Sequence, residues 1–131
     1  MRAFVFAAFA LAFLTFGAAS ASAQYVDIYR INQIAKDVSD EQILSGIAGH
    51  LGVSADVLKK EKADHNLSFG ELYFAHQLAK AAKSDLKTVV SEFRSGKVWG
   101  IIAKEKNVNI DEISKDARQL ETALKKSRRD P

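Results

Sequence analysis

Cysteine is absent from all 131 residues, which excludes disulfides, thiol chemistry, lipid attachment at an N-terminal cysteine and covalent c-type haem. Proline occurs once, at Pro131, so nothing in the body of the chain interrupts a helix. Tryptophan also occurs once, at Trp99. Paired strand signals are missing too: no Asn-Gly or Asp-Gly turn sits between alternating apolar runs. No Gly-x-Ser-x-Gly, phosphate loop or cysteine nucleophile is present, and the reading is of a protein that is not an enzyme, with no catalytic residue and no cofactor.

One long apolar run is there, and it stands at the beginning. Met1-Arg2 forms a small positive start, Ala3 to Phe16 is uncharged and apolar, Gly17 breaks the run, and Ala21-Ser22-Ala23 places small residues where a signal peptidase reads. Residues 1–23 are therefore read as a secretory signal cut before Gln24. The run is shorter than the roughly 20 residues that span a bilayer comfortably, and an uncleaved N-terminal anchor is the alternative reading. What remains is a single domain of about 108 residues, 24–131, expected in the periplasm or secreted, with no transmembrane span after cleavage. The net charge of +3 falls to +2 when the cut removes Arg2, too little to imply a nucleic-acid partner.

Helix starts recur along this domain. Val38-Ser39 with Ile43, Val53-Ser54 with Leu58, Leu67-Ser68 with Leu72, and Val108-Asn109 with Ile113 each set an apolar residue before a cap and another five positions on, the pattern of a hydrophobic staple. Gln42 and Glu71 complete capping boxes with Ser39 and Ser68, and Asn109–Glu112 is a near relative. These starts predict seven helices: Val26 to Asp37, Asp40 to His50, Ala55 to about Asp64, Phe69 to Ala82, Asp85 to Ser95, Val98 to Lys106, and a last one with a seam at Ile110, Ile113, Ala117, Leu120 and Leu124.

Phe69-Gly70-Glu71-Leu72 can be laid on Trp99-Gly100-Ile101-Ile102, and Asp40 to Leu51 with its Gly52-Val53-Ser54 corner follows the same scheme more loosely. The expected fold is all-α: three stacked helix–turn–helix units, 39–65, 68–95 and 96–124, after a leader helix and before a basic tail, 125–131. Gly70 and Gly100 near helix starts point to close backbone crossings. The stretch GELYFAHQLAK…DLKTVVSEFRSGKVWGIIAKEKNV resembles a group of small exported bacterial proteins with a repeated Gly-Glu-hydrophobic unit followed by GK-x-WG-x-IA-K. That resemblance covers about Ser68 to Asn109. It implies an exported, all-helical protein and brings no site residues with it.

The residues raise several binding chemistries. The run from Val98 to Ser114 has the form of a DNA-reading helix–turn–helix, but Asp111 and Glu112 at the second helix start repel phosphates, and an exported chain does not meet DNA. The same run is similar to the helical core of the peptidoglycan-binding LysM module, which needs a strand on either side. His50, His65 and His76 raise a metal-binding periplasmic protein, although none of them shares the i, i+4 spacing of two ligands on one helix face. His76 reads as a structural histidine, and Asp64-His65 beside Glu61 as at most a weak surface ion site. Trp99 serves equally as a core anchor or a contact residue, and with Lys97 and Lys104 it makes the candidate interface. The basic tail reads as helix-end charge or as an attraction to anionic surface. The expectation is a non-enzymatic binding or structural protein of the cell envelope whose partner is an unknown protein or envelope component.

Overall fold

The computed structural model describes residues 17–129, with side chains from Gln24 onward. Of the proposed signal, residues 1–16 lie outside the described residues and 17–23 are described as backbone only; the last two residues of the basic tail also lie outside. Among the described residues seven helices follow one another: α1 (Gly17–Asp37), α2 (Asp40–Leu51), α3 (Ala55–His65), α4 (Phe69–Ala82), α5 (Leu86–Arg94), α6 (Trp99–Glu105) and α7 (Ile110–Arg129). Among the described residues there is no strand, and the fold is all-α.

Five of the six corners are built alike. Gly52, Asn66, Lys83, Gly96 and Asn107 each take a left-handed backbone conformation just after a helix. The amide of the next residue then reaches back five positions: Val53 to the Ala48 carbonyl, Leu67 to Lys62, Ser84 to Ala79, Lys97 to Glu92 and Val108 to Ala103, at 2.8–3.3 Å. This is the Schellman closure. In three corners the same residue (Val53, Leu67, Val108) is the apolar arm of the next staple, so one side chain ends one helix and orients the next. Ser39 and Ser68 make both bonds of their capping boxes, and Ser54 and Asp85 cap with single bonds. Asp85 is thus a cap rather than the first helical residue, because its carboxylate accepts from the Thr88 amide.

The units pack as α2 on α3, α4 on α5 and α6 on α7, with α4 touching all six other helices. Contact between α2 and α7 closes the stack. The centrality of α4 changes one detail expected from its spacing. Its buried side is Gly70, Leu72, Tyr73, Phe74, Ala75, Leu78 and Ala79, whereas Phe69 and His76, which share a helical-spaced stripe with Leu72 and Ala79, are only partly buried. A helix surrounded by neighbours hides almost its whole circumference, so the stripe loses meaning.

α1 begins at least nine residues before the expected Val26, since Gly17–Gln24 is rich in alanine and nothing stops the helix. It lies across α4 and beside α7. At the α4 crossing, Asn32 accepts from the Gly70 amide (2.8 Å) and donates to the Ser68 hydroxyl (3.2 Å). A Cβ on Gly70 would stand 2.6 Å from the Ile28 carbonyl oxygen, so this glycine is where two backbones meet, as expected of it. Along α7 the partners advance together: Asp27 beside Ser114, Arg30 with Glu121 (3.9 Å), Asp37 with Arg128 (2.8 Å). α1 and α7 therefore run in the same direction.

Candidate functional site

Trp99, the residue singled out as a possible contact, is closed off. It is 1% exposed, stacks on Phe93 with centroids 4.2 Å apart and planes 13° from parallel, and meets Phe74 at 6.2 Å. Its indole N–H is buried and has no acceptor. The site lies at the seam of α4, α5 and α6, and an ionic layer stands near it: Lys97 pairs with Glu105 (2.7 Å) and Glu92 (3.8 Å), and Lys106 with Glu92 (3.3 Å). The Glu105 hydrogen bond holds the Lys97 ammonium above its ordinary pKa. Lys97 precedes α6, Lys104 is exposed in its last turn, and the indole is inside. The three candidate residues do not converge on one open surface.

The histidines lie on three helices. His50 is exposed, its ring 5.8 Å from that of Tyr73. His65 ends α3, and its carbonyl accepts from Arg94. His76, half-buried on α4, is held by Glu61 of α3. Asp64 is taken by Lys60 and Glu61 by His76, so the two carboxylates beside His65 turn to other partners. Among the described residues no group of three or more His, Asp or Glu is placed to hold a metal.

The helix pair that is similar to LysM has α5 before it, and its second helix continues to Arg129, so helices occupy both flanks where the module has strands. Its Asn107-Val108-Asn109 corner does line an open groove of mixed character, shared with Gln77, Lys80, Ala81, Glu112, Ile113 and Asp116. The basic tail is helical through Arg129, where Lys125 pairs with Glu121 (2.6 Å) and Arg128 with Asp37.

Two features of α1 were not read from the sequence. The first is a polar patch inside the α1–α7 seam: Asp27 is 4% exposed, and Gln24, Ser114 and Glu121 are buried as well. Burial pushes the Asp27 carboxyl up from its ordinary pKa, against the opposing influence of Ser114, Arg118 and Arg30. The second is the outward ridge. Tyr25 is 49% exposed, Val26 45% and Tyr29 62%, directly opposite the buried Ile28, Ile31 and Ile34. Tyr25 and Tyr29 are one turn apart, as are Val26 and Arg30, so the four side chains form two adjacent rows on one face. Among the described residues the other tyrosine, phenylalanine and tryptophan rings are buried (Tyr73, Phe74, Trp99) or partly buried against the core (Phe69, Phe93). The signal for the ridge was present as Tyr-x-x-x-Tyr against an Ile-x-x-Ile-x-x-Ile stripe.

Comparison with protein-family models, with curated proteins and with solved structures found no match, so the class of the protein rests on its own residues: a closed all-α bundle of helix–turn–helix units.

Proposed function

We propose that this chain is an exported, non-enzymatic protein of the cell envelope, periplasmic or secreted, that works by presenting a rigid helical surface to a partner. The apolar run from Ala3 to Phe16 and the Ala21-Ser22-Ala23 site support export. The observation that carries the binding reading is the ridge of Tyr25, Val26 and Tyr29 with Arg30. Tyrosine and arginine are the residue types enriched where proteins make contact, because each combines large area with a polar tip. The opposite face of α1 is fixed by Ile28, Ile31, Asn32 and Ile34, so the ridge loses little freedom on binding. The Trp99 seam supports the same reading indirectly, as the pin that keeps the surface rigid.

A photo-crosslinking amino acid at position 29 tests this in living cells, with position 57 as control, because Val57 on α3 is also 45% exposed. An adduct that forms at 29 and not at 57, on a chain recovered outside the cytoplasm, is the expected result. Equal labelling at both positions, or a chain that stays in the cytoplasm with Met1 in place, overturns it.

A further inference from the structure

We infer that the α1 ridge is a membrane-facing surface, and that its partner is a lipid bilayer with anionic headgroups. This inference rests on the envelope reading above and names the partner for that surface. Where the ridge falls in the chain is the first argument. The apolar run ends at Phe16, α1 is already helical at Gly17, and Tyr25 stands one residue past the proposed cut. Tyr25 and Tyr29 are thus close in sequence to the segment proposed to engage a bilayer during export.

Chemistry gives the second argument. Tyrosine prefers the headgroup level of a bilayer, with its ring toward the acyl chains and its hydroxyl in water, and Tyr25 and Tyr29 offer two such rings with Val26 between them. Arg30 projects from the same face, with its side chain half-exposed. Lys36 lies two turns beyond Tyr29 on the same row. The neighbouring strip of α7 adds Arg118, Lys125 and Arg128; the opposing charges are Asp37, Glu121 and the buried Asp27. Basic groups outnumber acidic ones across the face, which favours phosphates over a cationic or neutral partner. Counting each pair once, Arg128 with Asp37 and Lys125 with Glu121, Arg30, Lys36 and Arg118 remain against the buried Asp27, so the excess at the surface is positive. The arrangement is that of an interfacial helix: apolar and aromatic side chains flanked by cations, lying flat because the opposite face is occupied by α4 and α7.

The test uses the protein as recovered from cells, with its N-terminus first read by mass spectrometry. It is floated with vesicles of phosphatidylglycerol and phosphatidylcholine, and separately with pure phosphatidylcholine. Co-flotation is expected with the anionic vesicles, weakened by salt and by the uncharged mixture. The double variant Tyr25→Ser/Tyr29→Ser should reduce it roughly tenfold or more, with melting temperature unchanged because these side chains are exposed; Arg30→Gln should reduce it by a smaller factor and lower the melting temperature slightly through the lost Glu121 contact, while Val57→Ser leaves flotation intact. No flotation of the wild-type protein, flotation equal in the double variant, or a position-29 crosslink to a protein and not to lipid overturns the inference. An exported chain beginning at Gln24 that fails to float overturns only the membrane partner. A chain found in the cytoplasm with Met1 intact overturns the envelope reading itself.

Discussion

Phe69-Gly70-Glu71-Leu72 and Trp99-Gly100-Ile101-Ile102 are versions of one phrase 30 residues apart, and the fold turns them in opposite directions. In the first, the glycine is buried under Ile28 of α1 while the aromatic ring stays partly exposed, 4.6 Å beneath the Lys62 ammonium. In the second, the aromatic is buried against Phe93 and Phe74 and the glycine is only half-covered. The first helix start carries a full capping box and a second cap from Asn32; the second start, at Val98, has no side-chain cap. The leader helix explains the difference. α1 takes the place over Gly70 and supplies Asn32, which turns the Phe69 direction toward α3. With α1 committed there, Trp99 fills the seam between α4 and α5. A repeated sequence fixes the local turn; the neighbour decides which of its two hallmark residues becomes core.

The comparison predicts a large asymmetry when the aromatics are removed. Trp99→Ala deletes a fully enclosed ring and should cost about 3–5 kcal/mol. Phe69→Ala removes a half-covered ring and a surface cation–π contact, about 1 kcal/mol. Urea unfolding of the two variants checks this directly, and equal losses would mean that the two copies are packed alike after all. The Trp99 loss is a sizeable part of the roughly 5–15 kcal/mol that holds a domain of this kind together, so a melting temperature near ambient for that variant is within the expected range.

Glycine substitution gives the next effect. At Gly70 the added methyl would stand 2.6 Å from the Ile28 carbonyl oxygen and 2.9 Å from its Cα, so α1 and α4 must separate. Gly70→Ala is expected to destabilise by about 1–3 kcal/mol in spite of alanine's better helix propensity. Gly46 offers the internal contrast. Its added methyl meets only the Leu124 Cδ2 at 2.5 Å, the end of a flexible side chain that can swing away, and alanine returns up to ~1 kcal/mol of helix propensity. Gly46→Ala should lie within about 1 kcal/mol of neutral. A Gly70→Ala protein that melts with the wild type would show that α1 is not clamped on α4.

These contrasts show where reading the sequence succeeds. Ser39 with Gln42 and Ser68 with Glu71 announce their helices because a cap is a local hydrogen-bonding problem solved within four residues. Phe69–Ala82 has the same limits in the pattern and in the fold. Gly52 marks a left-handed corner by its residue type, whereas Lys83 adopts the same conformation (φ 53°) with nothing in its chemistry to announce it. Gly70 could be suspected of a close crossing, but that Ile28 is the group crossing it depends on where α1 lies. The same holds for the candidate contact surface. The Ile28, Ile31 and Ile34 stripe fixes the inner face of α1, and Tyr25 and Tyr29 are therefore outside. Their significance comes from the other described aromatics being buried or packed against the core, which a linear pattern does not display. Trp99 drew attention by being unique, and Lys97 and Lys104 by being near it in sequence; the fold hides the first and sets the two lysines at opposite ends of α6.

The smallest expected effect concerns the caps. Ser68 bonds the Glu71 amide and also receives a hydrogen bond from Asn32, so Ser68→Ala removes contacts from a half-buried helix start and should cost about 1–2 kcal/mol. Val98 stands at the equivalent place before α6 in an extended conformation suited to a cap, φ −78° and ψ 154°, yet offers no oxygen. Val98→Thr keeps the branched shape and adds one acceptor for the free amides of the first turn. A gain of about 0.5 kcal/mol is expected, read as a small rise in Tm beside the loss in Ser68→Ala. A gain at Val98 together with a loss at Ser68 would make the missing cap the remaining local difference between the two copies. If Val98→Thr instead lowers Tm, the valine is there for packing beside the Trp99 seam, and the second copy has exchanged its cap for core.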